Sequence, residues 1–141
     1  MMEQAILIII GIVSAMLTYL VNNKYQQGAV RASAGLSLLV GLFFYFFPDL
    51  FSAFLSKNIP IVFIGATFIG MVSSKVLGNI FLIAIAGLIF SIIYLNTSQF
   101  FKGYGGALGT TAAISVLVSL SLALVAKSKH IKKWKSSKFS K

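Results

Sequence analysis

In a chain of 141 residues of which 58% are apolar and 10% charged, there is too little polar side chain to face water around a soluble core, where charged residues ordinarily fill roughly 25% of positions. The absence of cysteine removes disulfides, thiol nucleophiles and thiolate metal sites. A formal charge of +10 would suit nucleic acid if it were spread along the chain, but seven of the twelve cationic residues are lysines beyond Leu124, which is a topology signal and a lipid-surface contact, and no nucleic-acid partner is expected.

Five apolar segments follow one another, each near the roughly 20 residues that cross a bilayer. The first runs from about Gln4 to Val21. The residues before it, Met1, Met2, Glu3 and Gln4, carry an acid and no Lys or Arg, whereas a secretory signal opens with positive charge. Positive charge instead follows at Lys24 and Arg31, as expected of a first helix whose N-terminus is translocated. The second segment extends from near Gly28 to Phe47, where Pro48 and Asp49 interrupt it. The third spans Ile59 to about Val76; Ser73, Ser74 and Lys75 shorten its apolar stretch, so a re-entrant segment competes with a full span. The fourth is Ile80–Leu95 and the fifth Ala107–Ala126.

The expected organisation is one transmembrane domain over residues 1–126 and a basic cytoplasmic tail over 127–141. In that tail Lys127, Lys129, Lys132, Lys133 and Lys135 interleave with Ile131, Trp134 and Phe139. Basic and aromatic side chains together suit a headgroup layer, at around 1 kcal/mol per lysine near anionic lipid. The aromatics from Phe43 to Phe54 suit lipid or an interfacial belt.

Orientation follows from counting Lys and Arg in short loops. With five spans and the tail inside, Lys24, Arg31 and Lys75 join the tail's seven lysines, and Lys57 and Lys102 remain outside. The asymmetry favours an N-out, C-in chain over a four-span alternative that would put Lys24 and Arg31 outside.

An internal repeat is the most informative feature. Lys24–Leu42 lies over Lys102–Leu120, 78 positions on, and matches Lys24 with Lys102, Gly28 with Gly106, Ala29 with Ala107, Ala34 with Ala112, Ser37 with Ser115 and Leu39 with Leu117. With a two-residue gap the preceding helices align as well, Gly11 on Gly87 and Ala15 on Ser91. Five spans make the first and second helix pairs opposite in direction, so the expected fold is all-α, with two inverted-topology pairs (helices 1–2 and 4–5) flanking a central helix. Such repeats recur in secondary transporters.

Each repeat opens with glycines at a helix start and continues along a face of small and hydroxyl residues: Ser33, Ser37 and Gly41 in the second helix, Thr111, Ser115 and Ser119 in the fifth, and Ala66, Gly70 and Ser74 in the third. Spacing by four puts each set on one side. Close helix packing in lipid and a narrow path lined by hydroxyls both account for such faces. Gly28 and the run Gly103, Gly105, Gly106 permit either a tight turn or close approach of an anion to unpaired helix N–H groups; Arg31, Lys24 and Lys102 would reinforce the second use, although Arg31 also serves as a cytoplasmic anchor. The candidate path residues are therefore Gly28, Arg31, Ser33, Ser37, Gly70, Gly106, Thr110, Thr111 and Ser115. Asp49 follows Pro48 and is expected to end a helix at the outer surface.

No Ser-His-Asp set, paired intramembrane carboxylate or His-rich spacing is present, so neither enzyme chemistry, a cofactor nor a metal is expected. Gly28-Ala29-Val30-Arg31 and Gly105-Gly106-Ala107-Leu108-Gly109-Thr110-Thr111 resemble glycine-arginine and glycine-threonine helix starts in small bacterial ion channels, such as fluoride channels and trimeric cation channels. The resemblance covers two short stretches, departs from both families in helix count, and carries no site residue over. The expectation is a channel or carrier for a small ion or solute in a bacterial cytoplasmic membrane, working as a homo-oligomer because so short a chain encloses little; a structural or lipid-binding subunit of a larger membrane complex is the alternative.

Overall fold

The computed structural model describes the backbone of residues 1–97 and 105–139, and side chains over 1–97 and 106–127. Five helices follow in order: α1 (Met2–Asn23), α2 (Ala29–Phe46), α3 (Ala53–Gly70), α4 (Ile80–Thr97) and α5 (Gly105–Phe139). No strand occurs among the described residues. All five helices contain stretches long and apolar enough to cross a membrane; at ~1.5 Å per residue, an 18-residue helix covers about 27 Å, close to the hydrocarbon thickness.

The boundaries of α1, α2 and α4 fall within a few residues of the sequence expectation. That of α3 does not. The expected segment Ile59–Val76 is displaced toward the N-terminus, because Ser52 caps the helix by accepting from the Leu55 N–H at 3.3 Å. Pro60 therefore sits inside α3 and not at its start. A proline inside a spanning helix is tolerated where neighbouring groups satisfy the freed carbonyl. Ser73, Ser74 and Lys75 fall in the α3–α4 loop, which leaves α3 a continuous 18-residue helix. The backbone of α5 runs past the expected end at Ala126 to Phe139, so the tail prolongs the last helix. Asp49 is exposed between α2 and α3, just after the point where Pro48 was expected to break the chain.

Side-chain contacts give the relative directions. Ser52 donates to Glu3, Ser14 to the Phe63 carbonyl and Asn22 to the Met71 carbonyl, so α1 and α3 run the same way. α2 opposes α3, since Ser33 meets Thr67 and Phe44 meets Phe51. α4 opposes it too, since Tyr94 meets Asn58 while Phe90 lies against Gly65. Ser119 donates to the Leu82 carbonyl, which places the middle of α5 beside the first turn of α4.

α1 and α4 cross at glycines. A Cβ built on Gly87 would lie 2.9 Å from the Gly11 carbonyl oxygen and 3.3 Å from Ala15 Cβ. One built on Gly11 would meet Ser91 Oγ, and the Gly87 carbonyl oxygen at 3.3 Å. α3 lies across both helices, with Val62, Ala66 and Ile69 fully buried, while α2 and α5 flank α3 with no approach to each other among the described residues. Small residues govern these crossings because lipid offers no hydrophobic drive between helices, and close dispersion contact holds them together.

Candidate functional site

Of the hydroxyl faces expected from the sequence, that of α5 turns toward the interior, whereas that of α2 is buried only at Ser33. In α2, Ser33 is buried and Ser37 and Gly41 are half-buried; in α5, Thr111, Ser115 and Ser119 are all buried. Helix α3 stands between the two sets, so one chain does not bring Ser33 and Ser37 into contact with Thr111 and Ser115.

Near the loop end of α3 the two oxygens of Ser33 and Thr67 are 2.8 Å apart. Thr67 has a single hydroxyl proton, which reaches the Ile64 carbonyl at 2.6 Å, so Ser33 donates to Thr67. Replacing either residue (Ser33→Ala or Thr67→Val) is expected to cost about 0.6 kcal/mol, and a double-mutant cycle on unfolding in mixed micelles should show coupling of that order.

The other path candidates lie elsewhere. Gly28 is the N-cap of α2 with φ 85°, a left-handed conformation that favours glycine, and a Cβ there meets nothing within 4 Å. Arg31 is exposed in the first turn of α2. Gly70 is packed against α1, where a Cβ would lie 2.7 Å from both the Ala15 carbonyl oxygen and the Tyr19 nitrogen. Gly106 is open on its Cβ side. Thr110 is exposed and donates to the Gly106 carbonyl at 2.9 Å, while Thr111 and Ser115 donate to the Ala107 and Thr111 carbonyls at 2.8 Å. Each of these α5 hydroxyls closes on the carbonyl one turn back, the usual fate of Ser and Thr inside a helix. Lys102 and Gly103 lie outside the described residues, as do the side chains of Lys129, Lys132, Lys133, Trp134 and Lys135; Lys127 is exposed.

The strongest polar feature lies on α1 and was not singled out from the sequence. Ser14 donates to the Phe63 carbonyl at 2.8 Å, Tyr19 to the Leu77 carbonyl at 2.8 Å, and Asn22 to the Gly70 and Met71 carbonyls at 3.3 and 3.2 Å. Asn23 donates to the Val72 carbonyl and accepts from the Ser74 N–H. Asn22 and Asn23 satisfy carbonyls at and just past the end of α3, and together with Tyr19 they tie the α3–α4 loop to α1. Thr18, in the same row, is the buried side chain whose oxygen finds no partner among the described residues. The spacing of Ser14, Thr18 and Asn22 by four carried the signal, since it places them on one side of an otherwise Ile-rich helix.

Among the described residues no group of His, Cys, Asp or Glu could hold a metal ion. The open depression lined by Phe46, Phe47, Pro48, Asp49 and Leu50 is a surface feature of the α2–α3 loop. Among the described residues the buried polar groups are hydroxyls, with a phenol at Tyr19, and half-buried amides stand at Asn22 and Asn23; all are neutral hydrogen-bonding groups. Comparison with protein-family models, curated proteins and solved structures gives no match, so the functional reading rests on this chain's own residues.

Proposed function

We propose that the chain is a small channel or carrier, built on an inverted repeat and working as an oligomer, that passes a small ion or solute across a bacterial cytoplasmic membrane, with anions the favoured charge class. The observation that carries this reading is the α1–α4 crossing. Gly11 and Gly87, equivalent in the repeat, meet each other, and the contact of Gly11 with Ser91 is mirrored by that of Gly87 with Ala15. Reciprocal contacts between equivalent positions are the mark of a two-fold relation. The buried sets agree with the same register: Leu7, Gly11, Ser14 and Ala15 of α1 correspond to Ile83, Gly87, Phe90 and Ser91 of α4, 76 positions on. The opposed directions of α1 and α4 fit an axis lying in the membrane plane, which is the architecture shared by many secondary transporters.

Oligomerisation is supported by glycines left without neighbours. Among the described residues, Gly35 and Gly41 of α2 would each accept a Cβ into open space, although glycine costs about 1 kcal/mol in a helix. The anion preference draws on the glycine starts of α2 and α5 and on Arg31.

The runner-up is a non-transporting subunit that packs against a larger membrane complex or holds lipid, with no catalysis and no cofactor. It is favoured by a separate observation: the hydroxyls of Ser14, Ser33, Ser91, Thr111, Ser115 and Ser119 are all taken up by bonds within the chain, leaving them fewer free atoms to meet a solute.

The deciding experiment combines sidedness with flux. Single cysteines at Gln4, Gln26, Asn58, Ser74, Gln99 and Ser137 are expected to react with an impermeant thiol reagent from outside at Gln4, Asn58 and Gln99 alone. Proteoliposomes should then show anion flux that falls when Arg31 and Lys102 are neutralised. Labelling of Gln4 and Ser137 from the same side would remove the inverted repeat, and absence of flux with a co-purifying partner would establish the runner-up.

A further inference from the structure

The polar bonds of the bundle are unevenly shared. α3 and the loop after it are bonded to α1 and α2 through Ser14, Tyr19, Asn22, Asn23 and Ser33. α5 is bonded to α4 through Ser119. Between these two groups of helices there is one side-chain hydrogen bond among the described residues, from Tyr94 Oη to Asn58 Oδ1 at 2.8 Å. Among the described residues that boundary also brings small and apolar groups together: Gly11 against Gly87 and Ser91, Ala15 against Gly87, and Gly65 against Phe90 and Leu108.

We infer that the α4–α5 hairpin is a single body that rocks against the α1–α3 body about the Gly11–Gly87 crossing, with the Tyr94–Asn58 hydrogen bond as its latch. This deepens the transport reading and rests on it. The physical basis is that the several hydrogen bonds joining α3 to α1 and α2 make those helices move together, whereas the boundary with α4 and α5 can shift by giving up one hydrogen bond, since the rest of the contact described there is dispersion. At Gly11 and Gly87 backbone approaches backbone midway along both helices, so this crossing serves as pivot. The latch lies toward the Met1 end, where Asn58 sits in the second turn of α3 and Tyr94 in the last turn of α4. The chain crosses between the bodies at Gly78 and Asn79: Leu77 is held by Tyr19, and Asn79 already caps α4 by accepting from the Phe81 N–H. A hinge confined to such a short segment is how rigid-body closure is generally accommodated.

The test uses the full chain in lipid nanodiscs, with spin labels on cysteine pairs introduced into the cysteine-free background. Phe54→Cys with Ile92→Cys reports between the bodies, and Val30→Cys with Phe54→Cys reports within the α1–α3 body; all three positions are exposed. The inter-body pair is expected to show two distance populations, and Tyr94→Phe should raise the longer one about threefold, the worth of one hydrogen bond in a membrane protein. Asn58→Ala should do the same, and the double variant should add nothing. The control pair should stay at one distance throughout. A single inter-body distance that Tyr94→Phe leaves unchanged would overturn the inference, as would a control pair that shifts alongside it. Exchange without flux would instead sink the transport reading while leaving the rocking intact, and flux with a fixed inter-body distance would do the reverse.

Discussion

Replacing Gly70 with alanine is expected to destabilise the bundle by about 3 kcal/mol, the upper part of the range for overpacking. The new methyl would stand 2.7 Å from the Ala15 carbonyl oxygen and 2.7 Å from the Tyr19 nitrogen. Both are backbone atoms of α1, so no rotamer change relieves the clash, and α3 must back away from the helix that caps its end. The Asn22 bonds to the Gly70 and Met71 carbonyls would lengthen with it. Reversible unfolding in mixed micelles measures the loss. Gly109→Ala is the matched comparison, because nothing lies within 4 Å of its Cβ and alanine favours a helix by about 1 kcal/mol over glycine. If Gly70→Ala unfolds like Gly109→Ala, the close α1–α3 approach is wrong.

The second large effect is expected at Phe90. Its side chain is fully buried and fills the space left by Gly65, where a Cβ would lie 3.1 Å from Phe90 Cε2 and 3.2 Å from Leu108 Cδ2. Phe90→Ala should cost about 3 kcal/mol or more, the transfer of the ring plus the cavity behind it. Gly65→Val alone should also destabilise, by pressing on the ring. Combined, the two changes should recover much of the loss, because the valine occupies room that the ring vacated. Non-additivity between residues that share a cavity is the signature sought. Strict addition of the two losses would mean that α3 and α4 do not meet at this point.

How much of this was legible depended on the kind of signal. Apolar length announced five spans, and α1, α2 and α4 end within two residues of the expected Val21, Phe47 and Leu95, with Pro48-Asp49 closing the second. The boundary of α3 differs because its continuous apolar run starts only at Ile59, whereas Ser52, accepting from the Leu55 N–H, starts the helix six residues earlier. The hydroxyl faces of α2 and α5 were visible from spacing by four. The comparable row on α1 was overlooked because it is thinly set among isoleucines and ends in asparagines at the surface.

By itself the sequence determined that the chain is apolar enough for a bilayer, where α1, α2 and α4 begin and end to within a few residues, and which sides of the helices are small. Those properties are local, set by composition and by the 3.6-residue turn. Only the tertiary structure decided which small faces meet. It paired Gly11 with Gly87 and Gly70 with α1, interposed α3 between the hydroxyl rows of α2 and α5, and left Gly35 and Gly109 facing open space. The physical reason is that glycine and serine faces are nearly interchangeable as sequence, and helices in lipid choose partners by shape and by a few hydrogen bonds. That choice is settled by fit among all five helices at once, which no single segment encodes.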